Sequence, residues 1–572
     1  MKNRFSKLFL ALMLTSVLYA CKKSFLDVAP LGALDEQTLS TAKGINKILL
    51  GAYAMLDSHD GSQNIGGEWG SSGSNFLFGS IGGGEANKGS SVSDQGSNMT
   101  PVQRHEATST VGALNDRWIG IYEGVKRCNI ALELMTKAGV VGDEAKNLSG
   151  QARFLRAWYH FQARITFGKV PFIDEKADID LAAGTIPSLS NDPEIYPMIL
   201  ADAKYAYENL PATQDAIGRA NKWAAGALYG KILMFTKNFA LAKTVLTDVV
   251  NNGTNPLGTK YGLNANFADN FNVDFDNSKE SILAFQASVN DKGGARNGNW
   301  GDALNTTAQF GGAGFFTPTY FFVNSFKTDA AGLPFANPQN NELIDPYGQD
   351  NKVYTQYAGN VDPRLDWTVG RQGVAYHDWG TYSNTWVRNA SSGPFTNKKG
   401  QIRQGQTAGS HDPSIWFSSG GVSLNMNLIR FADVILLLAE ADAETNDLVG
   451  ALGLVNQIRS RAASGSKVAS PAGIDPVAAT YPVFATQPDA LSAVRLERLL
   501  ELGLEGHRFF DLVRWGKAAT ELNAYYNYES TFPYQVILKE PAKATYAGAA
   551  KDYYPIPQEQ IDLSNGMIKQ NP

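Results

Sequence analysis

Aromatic rings set among amides, carboxylates and arginines are the chemistry this chain offers most openly. Residues 66–106 hold Trp69, Phe76 and Phe78, followed by Lys88, Asp94, Gln95, Asn98 and Arg104. Residues 296–320 hold Arg296, Asn299, Trp300, Asp302, Phe315, Phe316 and Tyr320. Flat apolar faces stack on the C–H surface of a sugar ring, and amides, carboxylates and guanidinium groups bond its hydroxyls. Both stretches supply both kinds of group. Core packing beneath long loops is the reading preferred for Phe76, Phe78 and Phe315. Trp300 differs, because Gly298 and Gly301 flank it and no helical periodicity surrounds it. It is expected to be partly exposed and to stack on a ligand. A third run, Tyr376, Trp379, Tyr382 and Trp386, alternates with polar residues and suits rim contacts or strand packing.

Other chemistries lack a necessary residue. The Gly-Lys pairs at 168, 230 and 516 all miss the earlier glycine of a phosphate-binding loop. The six histidines, 59, 105, 160, 377, 411 and 507, are scattered, without an HExxH motif or a cysteine pair, so zinc has no support. Asn272, Asp274 and Asp276 imitate the start of a calcium loop, but Asn277 replaces its turn glycine and Leu283 its closing glutamate. Ser72 lacks the spacing of a nucleophile elbow. A glycoside hydrolase needs only two carboxylates about 5–10 Å apart. The 55 acidic residues leave that alternative standing. No metal and no cofactor is expected.

Elements that could hold such loops are legible as helices. Phe154, Trp158, Phe161 and Ile165 share one helical face, which Gly168 and Pro171 terminate. Asp192-Pro193-Glu194 reads as the opening of a second helix, with the stripe Ile195, Ile199, Ala203, Ala206 and Leu210. A third covers about 221–236. After Thr236-Lys237-Asn238, a fourth carries Ala242, Val245, Leu246 and Val249. So short a turn makes the two antiparallel. The pattern returns at 431–441 and, past Thr445-Asn446-Asp447, at Ala451, Leu454, Val455 and Ile458. Repeated helix–turn–helix units with alanines at their contacts predict a mainly α protein on a tetratricopeptide-like helical repeat scaffold. The scaffold is expected over about 21–251 and 428–572. Between them, about 252–427 is rich in Gly, Asn and Pro and holds Trp300, Trp367, Trp379, Trp386 and Trp416, half of the ten tryptophans. Loops on a rigid frame commonly carry binding groups, so this irregular region is assigned the ligand surface.

At the N-terminus, Lys2, Arg4 and Lys7 precede the apolar run Leu8–Ala20, which is too short to span a bilayer and reads as a signal peptide over 1–20. It ends in Leu18-Tyr19-Ala20-Cys21, which resembles a lipoprotein processing site with Cys21 as the lipid anchor. Several acyl chains on that cysteine would hold the protein at a membrane firmly. The other cysteine, Cys128, lies in an apolar helical stripe and is expected in the core. A net charge of −5 without a sustained basic block argues against nucleic acid as a partner.

Arg495–Gly516 reads RLERLLELGLEGHRFFDLVRWG. Acids interleaved with arginines here look like structural pairs, and Glu505, His507 and Asp511 are read as such rather than as a catalytic set. The segment closely resembles the SusD/RagB signature. The run Ala152–Ala157 with Phe167–Pro171, Asp362-Pro363-Arg364, Arg430–Asp433, Tyr554–Pro557 and the closing Gln570-Asn571-Pro572 resemble further marks of that family, in order. The resemblance implies a repeat-helix protein at the outer membrane, facing the cell exterior. It implies oligosaccharide binding without catalysis, and a SusC-like TonB-dependent transporter as partner. Peptides or other nutrients are the implied alternative ligands.

Overall fold

A computed structural model describes residues 39–57, 65, 69–177, 189–292, 297–340, 342–345, 354–414, 421–469, 473 and 475–571. The signal peptide, Cys21, Arg296 and Trp416 lie outside the described residues. The longer helices are α1 (Ala42–Ala54), α2 (Gly112–Ala138), α3 (Gly142–Phe167), α4 (Tyr196–Asn209), α5 (Lys222–Phe235), α6 (Phe239–Asn252), α7 (Phe431–Glu444), α8 (Leu448–Ser464), α9 (Gln487–Leu502), α10 (Arg508–Arg514) and α11 (Ala518–Glu529). Each of α2 to α8 packs on its predecessor, so the late helices continue the stack that the early ones begin. The fold is the mainly α, tetratricopeptide-like scaffold expected.

Local chemistry explains the stack. The stripe Ile195, Ile199, Ala203, Ala206 and Leu210 is buried throughout. Cys128 is buried as well. Gly168 ends α3 at φ 78°, a conformation a side chain would strain. Asn221 caps α5 by accepting the N–H groups of Trp223 and Ala224. Gly230 allows α5 and α6 to close up, since a Cβ there would stand 2.4 Å from Leu246 Cδ2. One boundary differs from expectation. α4 begins only at Tyr196, with Ile195 in the N-cap position, and Glu194 Oε1, one residue further back, accepts the Tyr196 N–H.

The irregular region is tied together by short antiparallel pairs. β1 (Ala86–Gly89) pairs with β3 (Phe315–Pro318), and β2 (Ser281–Phe285) with β8 (Met426–Arg430). β4 (Val369–Gly370) pairs with β5 (Thr396–Asn397), and β6 (His411–Asp412) with β7 (Gly421–Val422).

Charged residues of the C-terminal signature fasten these loops to the helices. Arg364 contacts Asp362 at 2.8 Å, Glu497 at 2.6 Å and Glu501 at 3.0 Å. Arg430, where β8 meets α7, contacts Glu280 at 2.9 Å, Glu501 at 2.6 Å and Glu505 at 2.7 Å. Lys399, Arg459 and Arg461 complete one network of five acids and five bases. Burial raises the Glu501 carboxyl, but Arg461, Arg430 and Arg364 override it and hold the pKa well below the ordinary range. A second network joins Asp433 to Lys231 and Arg498, and Asp511 to Arg498 and Arg514. His507 stands beside Lys231, and burial pushes its pKa down to about 4. Glu505, His507 and Asp511 are therefore members of structural networks, as the sequence suggested.

Candidate functional site

Three loop segments meet at a half-buried aromatic platform. Phe310 lies against Trp379, with ring centroids 4.1 Å apart, and 5.5 Å from Trp386. All three are partly exposed, whereas Tyr376 and Tyr382 beneath them are fully buried. Tyr382 is 5.3 Å from Trp386, and Tyr376 5.6 Å. The loops are held from below. Trp379 Nε1 donates to Ile402 O at 2.9 Å, Tyr382 OH to Pro394 O at 3.0 Å, and Thr307 Oγ1 to Trp386 O at 3.0 Å. The rings are thus fixed before any ligand arrives, which lowers the entropic cost of stacking.

Polar groups stand beside the platform. Arg388 donates to Ala313 O at 3.3 Å and lies 3.7 Å from Asp94. Asp94 sits on the loop that follows β1 and accepts from Ser90 Oγ at 2.7 Å. Lys88 organises that loop from inside, donating to Gly89 O, Ser91 O and Asp94 O at 3.1, 2.7 and 2.6 Å. Burial lowers its pKa to about 8. Asn98, further along the loop, donates to Gln95 Oε1 at 3.0 Å. A fixed aromatic surface flanked by a guanidinium and a carboxylate can stack a sugar ring and bond its hydroxyls.

A second aromatic pair lies deeper. Trp69 and Trp300 are 5.9 Å apart; Trp69 is half-buried, but Trp300 is only 7% exposed. The expected partial exposure of Trp300 is thus corrected. Its loop folds back into the body because Asp57 accepts the Gly301 N–H, while Asn299 N donates to Val422 O at 2.8 Å. Burial, together with nearby Asp302, pushes the Asp57 carboxyl up to about 8. Asp302 accepts from Ser74 Oγ at 2.6 Å and from the side-chain amides of Asn299 and Asn305 at 3.3 and 3.2 Å. Burial raises its pKa also.

Other candidate residues are occupied internally. Phe316 is buried 5.4 Å from Phe76. Tyr320 is fully buried, stacked on Phe532, and donates to Asp345 O at 2.8 Å. Arg104 donates to Ile537 O, Glu540 O and Ala542 O. Phe76, Phe78 and Phe315 are core, as expected. Phe310 and Arg388 were not singled out in the sequence. Phe310 precedes Gly311 and Gly312, and that isolated ring before a glycine pair was its one local signal.

Comparison with known proteins agrees across the chain. A model described as the SusD family matches residues 279–572, and one described as "Starch-binding associating with outer membrane" matches 24–234. A SusD-like protein of Bacteroides ovatus is 23% identical over 585 residues, covering 97% of this chain and 93% of its own. A SusD superfamily structure from Bacteroides vulgatus aligns with a TM-score of 0.66 at 21% identity, covering 93% of this chain and 98% of that one. Surface glycan-binding protein A from Bacteroides thetaiotaomicron, solved with laminarihexaose, gives 0.62 at 20%, covering 92% and 99%.

Proposed function

The chain belongs to the SusD family, and from that premise we propose that it is a lipid-anchored protein of the outer cell surface that binds oligosaccharides and passes them to a SusC-like TonB-dependent transporter. The observation that carries the binding reading is the pre-fixed platform of Phe310, Trp379 and Trp386 beside Arg388 and Asp94. Asn98 lies on the same loop as Asp94, and Asn299, Trp300 and Asp302, with Trp69 against Trp300, lie on the segment that leads to Phe310. Cys21 is the anchor, and the transporter is inferred from the family. Binding is preferred to catalysis, and the acids of the C-terminal signature support it, since Glu501, Glu505 and Asp511 are committed to arginines.

Calorimetric titration of the full-length protein against a panel of oligosaccharides tests this, starting with laminarihexaose because a structural neighbour holds it. Saturable binding with the ligand recovered at unchanged chain length is the expected result. Binding of peptides alone would move the ligand class. Turnover that is lost on replacing one carboxylate would make the protein a glycoside hydrolase.

A further inference from the structure

On the segment that leads to Phe310, the turn 299–305 walls a chamber of about 70 Å³, shared with Ser74, Asn427 and Glu505. Three amide oxygens of its lining, Asn299 Oδ1, Asn305 Oδ1 and Asn427 Oδ1, are buried and accept no hydrogen bond. Asn299 and Asn305 are each 5% exposed. Their orientation is pinned. Asn299 Nδ2 and Asn305 Nδ2 donate to the Asp302 carboxylate, and Asn427 Nδ2 donates to Asn270 O at 3.3 Å. Exchanging oxygen and nitrogen in any of them would set two acceptors against each other. Among the chamber-lining side chains no buried donor is left over, so the surplus is of acceptors only.

The charged groups of the lining are paired except for Asp302. Lys399 reaches the chamber but donates to Glu505 Oε1 at 2.6 Å and to Glu501 O at 3.2 Å. Glu505 is also held by Arg430. Asp302 stands outside that balanced network, supported by serine hydroxyls and amides, with the Asp57 carboxyl nearby. Among the described residues neither of these two carboxylates has an ion-pair partner within 4.0 Å, in contrast to the acids of the two networks.

We propose that this chamber binds a hard cation of calcium size, through the Asp302 carboxylate and the Oδ1 atoms of Asn299, Asn305 and Asn427, with water completing the shell. Calcium takes six to eight oxygens and accepts asparagine carbonyls readily. The lining holds no His or Cys, so an ion that prefers imidazole or thiolate finds no such ligand there. The space accommodates an ion with a few waters and is too small for a sugar ring. The ion would tie down the turn that leads from Trp300 to Phe310 and so brace the segment that carries Phe310.

The full-length protein, purified in mild detergent and stripped with chelator, is titrated with calcium chloride by calorimetry. It is also titrated with terbium, whose emission is read through excitation of Trp300, two residues from Asp302. One calcium per chain, a higher melting temperature and displacement of terbium by calcium are expected. Asp302→Asn, which keeps the shape and removes the charge, should weaken calcium binding by more than about tenfold. Asn305→Ala, which deletes one oxygen, should weaken it measurably and serves if the first variant does not fold. Failure of the folded wild-type protein to bind calcium stoichiometrically overturns the proposal. So does calcium binding unaltered in folded variants, or a tighter response to magnesium than to calcium.

Discussion

Trp300 and Trp386 are separated by one pair of substitutions, because their burial assigns them opposite roles. Trp300 is 7% exposed and packs on Trp69. Removing a buried indole leaves a cavity that the surroundings refill only in part, at a cost of about 3–5 kcal/mol. Trp300→Ala should therefore lower the stability by that order, and any loss of affinity should follow the unfolded fraction. Trp386 is partly exposed and contributes an edge of the platform. Trp386→Ala should leave stability within about 1 kcal/mol. Its affinity for oligosaccharide should fall by about 1–3 kcal/mol, or roughly five- to a hundred-fold, by analogy with bases stacked on aromatic side chains. Guanidinium unfolding and calorimetric titration of the same preparations measure both quantities. The reasoning fails if Trp300→Ala is as stable as the parent yet loses affinity, or if Trp386→Ala binds normally. Either result would move the ligand from the platform to the Trp69–Trp300 pair.

Arg430→Met should destabilise by about 3–5 kcal/mol in the same unfolding assay, because Glu280, Glu501 and Glu505 would keep buried charge without their shared partner. A loss under about 1 kcal/mol would show that the network contributes little. Stability should vary little between about pH 4.5 and 6.5 and fall below that range. Burial lowers His105 and His507 to about 4 and His160 and His377 to about 3, and each then favours the fold at high pH and loses that contribution as pH falls below 6.5. Burial raises Asp57 to about 8 and Glu85, Asp276 and Glu529 to about 7, so these favour the fold at low pH and lose that contribution as pH rises through those values. The two sets offset each other between those limits. Below them Asp511, which its arginines hold at about 2 against the pull of burial, adds a further acid loss. Melting temperature against pH measures the curve, and a protein that grows more stable on acidification from about pH 4 to 3 would contradict it. Cys21→Ala should release the protein from membranes in a fractionation assay while ligand affinity stays constant; retention would remove the lipid anchor.

The helical frame was legible because each helix buries one face, and burial writes a period of 3.6 into the sequence. Ile195, Ile199 and Ala203 announce α4 whatever packs against them. Its first residue was less legible, since Asp192-Pro193-Glu194 reads as the helix opening while the helix begins only at Tyr196, whose N–H Glu194 accepts. The platform was visible only in part. Trp379 and Trp386 were candidates by type, but Phe310 joins them from more than sixty residues away, and no local period connects such rings. Trp300 misled for a physical reason. Glycines beside an aromatic permit exposure, but here Gly301 permits a close approach, since a Cβ there would stand 2.7 Å from Asp57 Oδ1. Lys88 and Arg104 misled similarly, because a long cation that satisfies backbone carbonyls inside a loop looks identical in sequence to one that faces a ligand.

The contrast between signature and site follows from what each interaction tolerates. A buried carboxylate must be matched by a cation at hydrogen-bonding distance, and removing one member of a network strands the others. Glu501, for example, is shared by Arg364, Arg430 and Arg461, which arrive from a loop, a strand end and α8. Replacing any of these by a neutral residue leaves uncompensated charge, so their types and order are tightly constrained and readable. A half-exposed ring pays no such penalty when it moves along a loop, provided some aromatic face remains at the surface. The networks fix where the loops leave the frame, at Glu280, Arg364, Lys399 and Arg430, while Phe310, Trp379 and Trp386 lie between those fixed points. The platform can thus be reshaped for another ligand without disturbing the charges that hold its loops to the helices.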